Sequence, residues 1–409
     1  MKIAWILPVL MGGIVRLGYA QASPLPPRPP AAHSLDIAIH HVGLSIGNSR
    51  RFTGLRLNWR DAGVERVSGI NVNLWAPGQN PRASVNGLAL GVVAPGAARL
   101  NGIILGGLGI RADDRLTGIG LTSFAAISHG SIAGITGALA VVADKDILGL
   151  TAGPLAVMAK GRLRGLGVSG TSVIASGGAR GIVGAGLAAV VQREMKGIVL
   201  AGLGAVVEGP LSGLALSGIG VAARGDMTGL GAGGLVTFAS GRMRGVHLGG
   251  IAVIGESGIR GITGGGIAVL SSSAVRGITL AGGAVMAGDD IRGITIGGLG
   301  IVADGGVRWI TLTGGTLVSR GDAAGLLVGG YRVRSPSVKG IAISALQTRS
   351  ISLQGVSVAA YNAVARQRGI TIGVYNDARE LHGLQIGLIN RARNNPSATR
   401  WLPLVNAHF

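Results

Sequence analysis

Glycine returns in this chain at a fixed step of 16 residues. From Gly149 the marker falls at Gly165, Gly181, Gly197, Gly213, Gly229, Gly245, Gly261, Gly277 and Gly293, gives way to Trp309, and resumes at Gly325. The same unit runs upstream through Gly134, Gly118, Gly102, Gly87, Gly69 and Gly54. It runs downstream through Gly340, Gly355, Gly369 and Gly383, shortening to 15 and then 14 residues. A period of this size marks a repeat architecture, in which a single unit cannot bury its apolar face and neighbours stack to complete the core. No second domain is legible inside the array.

The unit has an internal grammar, with the marker glycine as place 1. In Gly293–Arg308, places 2 and 4 are apolar with small or polar residues between them, a period-two strand signal. Place 6 is usually Gly and marks a bend. Places 7 to 11 form a second apolar run, places 12 to 14 read as a turn, place 15 is apolar and place 16 is commonly Arg. Helix is a poor fit, because each Gly costs a helix interior about 1 kcal/mol relative to Ala. The expectation is an all-β, two-sheet β-solenoid of about 22 rungs with 14–16-residue repeats, its rungs about 4.8 Å apart and its rod about 100 Å long. At place 10 stand Met158, Ile174, Val190, Val206, Phe238, Ile254, Leu270, Met286, Val302 and Val318. If place 9 faces inward, this row is an exposed apolar stripe fit for a protein or membrane contact. A bend would instead turn it in, so its direction stays open.

Composition supports this fold. The 409 residues include 76 Gly and only 14 Pro, which excludes collagen, and the 47% hydrophobic content excludes a disordered chain. No cysteine is present, so disulfides and thiolate metal sites are excluded. Residues 1–22 read as a secretory signal peptide, with Lys2 ahead of an apolar run and Ala20-Gln21-Ala22 at its end. Residues 23–30, rich in Pro, form an extended linker, and 31–53 an N-terminal cap. The array occupies 54–398. Residues 399–409 read as a C-terminal cap, because Thr399–Asn406 aligns with Gly383–Asn390 as a degenerate last rung lacking the glycine markers.

Three C-terminal stretches, Gly355-Val-Ser-Val-Ala-Ala-Tyr-Asn362, Gly369-Ile-Thr-Ile-Gly-Val-Tyr-Asn376 and Gly383-Leu-Gln-Ile-Gly-Leu-Ile-Asn390, precede the ending Trp401-Leu-Pro-Leu-Val-Asn-Ala-His-Phe409. They resemble a family of exported bacterial surface-repeat proteins with G-V-Q-I-G-L-I-N-type repeats and a W-L-P-L-x-N-x-x-F ending. The resemblance covers roughly the last 55 residues. It implies an exported protein of the periplasm, outer membrane or cell surface, and brings no catalytic residues with it.

The formal charge is +20. A basic surface favours anionic partners, here anionic lipid head groups or acidic glycans, and with aromatics at 3% no specific nucleic-acid partner is expected. Arg164, Arg180, Lys196, Arg244, Arg260, Arg276, Arg292 and Arg308 all hold place 16 and would line one edge of a stack as an anion-binding ladder. Their bland alternative is a solvated turn edge, with acids such as Glu194, Glu256, Asp289, Asp290 and Asp304 near enough to offset them. Asn362, Asn376 and Asn390 share one place in consecutive rungs and read as a structural amide ladder. No catalytic, cofactor or metal motif is present. His40 and His41 would face opposite sides of a strand, and the other histidines are scattered in sequence. The reading is a non-enzymatic exported scaffold with a structural, adhesive or anionic-envelope-binding role. One alternative is an integral outer-membrane β-barrel, since a 14–16-residue unit suits one strand plus a turn and the chain ends in Phe409. Against it stand the lack of aromatic girdles and the absence of alternating turn types. The other is a carbohydrate-active solenoid enzyme, which would want clustered acids where the chain has 17, scattered.

Overall fold

The computed structural model describes residues 33–409, apart from His41 and Gln79. The expectations for the signal peptide and linker therefore lie outside the described residues. Within them there is no helix.

From Ser131 to Gly329 each unit supplies one seven-residue and one four-residue strand; before it Arg51–Asn58, Arg66–Asn73 and Ser84–Gly91 stand as single eight-residue strands, and after it the strands merge into longer ones such as Gln347–Val358. Ile147–Gly153 is followed by Ala156–Ala159, then Leu163–Ser169 by Ser172–Ala175, and so on along the array. Long strands pair only with long strands and short with short, always in parallel and one repeat apart: Gly149 opposite Gly165, Val157 opposite Val173. Two parallel sheets thus face each other along a β-solenoid of about 20 turns. The barrel alternative does not hold. Consecutive spans of such a barrel run antiparallel, whereas here successive repeats run the same way and the chain returns through the opposite sheet.

Alternation along the long strand puts places 15, 3 and 5 inside. Along the short strand places 9 and 11 are inside. Leu163, Val173 and Ala175 are fully buried, and so are their counterparts Ile259, Val269, Ile291 and Ile301. The apolar core is one continuous cluster from Val64 to Val364. Each large aliphatic side chain taken from water contributes about 1.5–3 kcal/mol. Place 10 is settled by this parity. Its residues point outward and are half-buried, with Met286 the most open among them.

The marker glycines explain the fixed frame. Gly261 has φ +127° and Gly277 +114°, a region closed to most L side chains. A Cβ on Gly261 would also lie on the carbonyl oxygen of Gly245 in the rung before, so stacking itself demands Gly there. Trp309 is the exception, held at φ +91° with its ring in solvent.

The stack is closed differently at its two ends. Ser34–Ile39 runs antiparallel to Val42–Gly47, which is itself stacked in parallel on Arg51–Asn58 with Gly43 opposite Gly54. At the far end Trp401–His408 lies antiparallel to Gly383–Arg391. This corrects the reading of Thr399–Asn406 as a last rung: the segment doubles back instead of stacking onward. The turn before it is fastened by Asn395, whose Nδ2 donates to Asn406 Oδ1 at 2.9 Å. Pro403 and Leu404, at φ +64°, spoil the outer edge for further pairing.

Candidate anion-binding edge and apolar face

The long strand brings the place-16 side chains into one row, because parallel in-register pairing repeats every position one rung on. Arg164 stands opposite Arg180, and Arg180 opposite Lys196. Arg244, Arg260, Arg276, Arg292 and Arg308 follow one another without a gap. Between these two groups Ser212 and Thr228 hold the place, so the ladder is two runs.

Acids neutralise two members. Lys196 Nζ lies 2.8 Å from Glu194, and Arg292 Nη2 2.5 Å from Asp290. The Glu194 carboxyl is held below its ordinary pKa by the Lys196 side chain. That of Asp290 is lowered first by the backbone N–H of Gly306 and then by Arg292. Arg164, Arg180, Arg244, Arg260, Arg276 and Arg308 have no ion pair among the described residues. Three of the unpaired residues, Arg244, Arg260 and Arg276, join Arg242, Ser257 and Ser273 around an open cleft of about 210 Å³. Guanidinium forks and hydroxyls around one cleft suit a phosphate or carboxylate.

Beside this row lies the feature that sequence reasoning missed. Places 2 and 4 point out of the long-strand sheet, so the apolar half of the alternation faces solvent. Leu248, Ile262, Ile278, Leu280, Ile294 and Ile296 are each 38–46% exposed. Between them, at place 3, Thr263, Thr279 and Thr295 are buried. Every unit from Leu55 to Leu384 carries Leu, Ile or Val at place 2. The signal was available: place 3 shares its parity with place 15, so a core-facing place 15 sends places 2 and 4 outward. Place 7 at the bend adds a further exposed row, including Leu187, Leu203, Leu235 and Leu299. Between places 4 and 7 runs a glycine-floored groove. One stretch of it, about 660 Å³, lies over Gly186, Gly202, Gly218 and Gly234.

The asparagines form the ladder that their spacing suggests. Asn362 Nδ2 donates to Asn376 Oδ1 at 2.8 Å, and Asn376 Nδ2 to Asn390 Oδ1 at 2.7 Å, all three buried. Their location is interior, facing no ligand space. Two histidines far apart in sequence meet at the C-terminal edge, His382 and His408, with ring centroids 5.8 Å apart. Among the described residues no three His, Asp or Glu side chains converge as a metal site. Compared with family models, curated proteins and solved structures, the chain matches none of them.

Proposed function

We propose that this protein is a non-enzymatic scaffold of the bacterial envelope that lies lengthwise on an anionic lipid surface. The observation carrying this reading is the outer face of the long sheet: aliphatic side chains at places 2 and 4 lie in solvent, with a basic row along one border. Taken as about 10 Å wide and about 100 Å long, the strip covers on the order of 1,000 Å². Monomeric proteins seldom expose contiguous apolar patches beyond a few hundred Å². A face of this kind is covered by something. The net charge of +20 argues for anionic head groups and against a second copy, which would bring an equal positive charge to the same contact. Aliphatic side chains entering the acyl boundary, with arginines reaching up to the phosphates, is the arrangement of interfacial amphipathic elements. The resemblance of the last 55 residues to exported surface repeats supports an envelope location.

Flotation with vesicles tests the reading. Binding to vesicles with about one-third phosphatidylglycerol is expected, weakening as salt rises. A variant with Ile262→Gln, Ile278→Gln, Leu280→Gln, Ile294→Gln and Ile296→Gln should lose it. A variant with Arg244→Gln, Arg260→Gln and Arg276→Gln should keep only a salt-insensitive remainder. Absence of flotation, together with a concentration-dependent dimer that the five-Gln variant abolishes, would assign the face to a second copy and end the lipid reading.

A further inference from the structure

We propose that the C-terminal rungs hold a separate binding pocket for a sugar-sized polyanion, a ring compound carrying several phosphate or carboxylate groups. The cavity measures about 930 Å³ and lies on the outer face of the short-strand sheet. In mid-array, place 10 on this face carries half-buried aliphatics such as Ile174 and Val190. Near the C-terminus the same row changes character. Val318 is followed in register by Arg334 and Arg349, and then by Ala363. Ala363 and Ala365 are too short to fill the space their neighbours define, and the depression opens there. Arg320 bounds it on one side, Arg379, Arg393 and Asp377 on the other, and Tyr361 at its rim.

The lining of this pocket is strongly cationic. Five arginines and one aspartate line it, a net of 5 − 1 = +4. Arg320 is 3.0 Å from Asp304, and Arg393 is 2.8 Å from Asp377. Arg334, Arg349 and Arg379 have no carboxylate partner among the described residues. Arg224 and Arg242, on turns of the middle array, are by contrast paired with Glu208 and Asp226. Three uncompensated guanidinium groups around one depression repel one another, and the fold gains nothing from holding them there. An anion with several oxygens would satisfy them together, since each fork matches a phosphate or carboxylate in a bidentate way. The volume suits one or two sugar rings. Tyr361 is held rigidly by stacking on Tyr375 at 5.2 Å, and Tyr375 in turn on Trp401 at 6.1 Å, so a fixed aromatic surface borders the charged groups. The pocket lies on the sheet opposite the apolar face and stays open to solvent when that face is covered.

The test titrates myo-inositol hexakisphosphate and, separately, a trigalacturonate into the full chain in about 0.15 M salt, with calorimetry as readout. One-to-one binding of at least one probe is expected, and which probe wins tells phosphate from carboxylate. The R334Q/R349Q/R379Q variant should bind about 100-fold more weakly. A363L fills the depression with every charge in place, and should weaken binding about tenfold. R115Q/R193Q/R224Q, three exposed arginines outside the pocket and outside the place-16 row, should bind like the parent. The proposal is overturned if neither probe binds, if A363L binds like the parent, or if the remote triple variant loses as much as the local one.

Discussion

At the residue scale, the marker glycine is the least replaceable position. Gly261→Ala combines a positive φ with a Cβ aimed at the Gly245 carbonyl. It should cost at least about 2 kcal/mol, read as a lowered denaturation midpoint. Trp309 is the mirror case: a non-glycine at φ +91° whose ring is 71% exposed and has no core to fill. Trp309→Gly should stabilise the chain by about 1 kcal/mol, and unchanged or lower stability would mean the strain is absent. His247 is the other misfit. It occupies the buried place 3, and neither ring nitrogen has a hydrogen-bond partner among the described residues. Burial holds its pKa below the ordinary histidine value. The unfolded chain therefore binds this proton more readily. Its contribution to stability is complete above the unfolded pKa of about 6.5 and is lost as pH falls through and below that value. Replacing His247 with Thr, the residue most common at this place nearby, should flatten the acid side of the melting-temperature profile. A variant as acid-sensitive as the parent would contradict the assignment.

At the scale of strands and rungs, the interior changes along the rod. The middle is aliphatic and alanine-lined, while both ends are polar. Near the N-terminus Arg56 is buried against Asp61 at 2.5 Å, and it also donates to Asn71 at 2.8 Å, Asn48 at 2.9 Å and Ser49 at 3.2 Å. Near the C-terminus the asparagine ladder takes over. Removing one partner of a buried ion pair strands the other, at about 3–5 kcal/mol. Because each rung touches only its neighbours, Asp61→Ala should raise hydrogen exchange in the first few rungs and leave those beyond about Gly149 protected. Uniform deprotection would mean the array unfolds as one unit. The sequence made the period, the two strands per unit, the bend at place 6 and the asparagine spacing legible, because each depends on local chemistry repeated at a fixed step. The outward direction of places 2 and 4 was not drawn from it, because apolar alternation states a period and not a side. Only linking place 3 to the core-facing place 15 fixes the sign. The Arg56–Asp61 network escaped for a different reason: a loop between rungs brings Asp61 back under Arg56, outside any repeat position. Trp401–His408 was misread because similarity to a rung carries no information on strand direction.

At the scale of the whole molecule, the rod carries three unlike surfaces along its length: an aliphatic sheet face, a basic edge, and an arginine-rich depression near the C-terminus. The lipid-lying reading uses the first two together, and the sugar-sized polyanion pocket uses the third. Everything rests on places 2 and 4 looking outward. The chain has no cysteine, so single Ile262→Cys and Thr263→Cys variants report the two sides of one strand without background. The most direct measurement is the rate at which a thiol-reactive, environment-sensitive dye labels each, followed by its emission on adding anionic vesicles. The account predicts rapid labelling at position 262, near-complete protection at 263, and a blue-shifted, brighter signal from 262 when vesicles are present. Equal labelling at both positions, or faster labelling at 263, would contradict it.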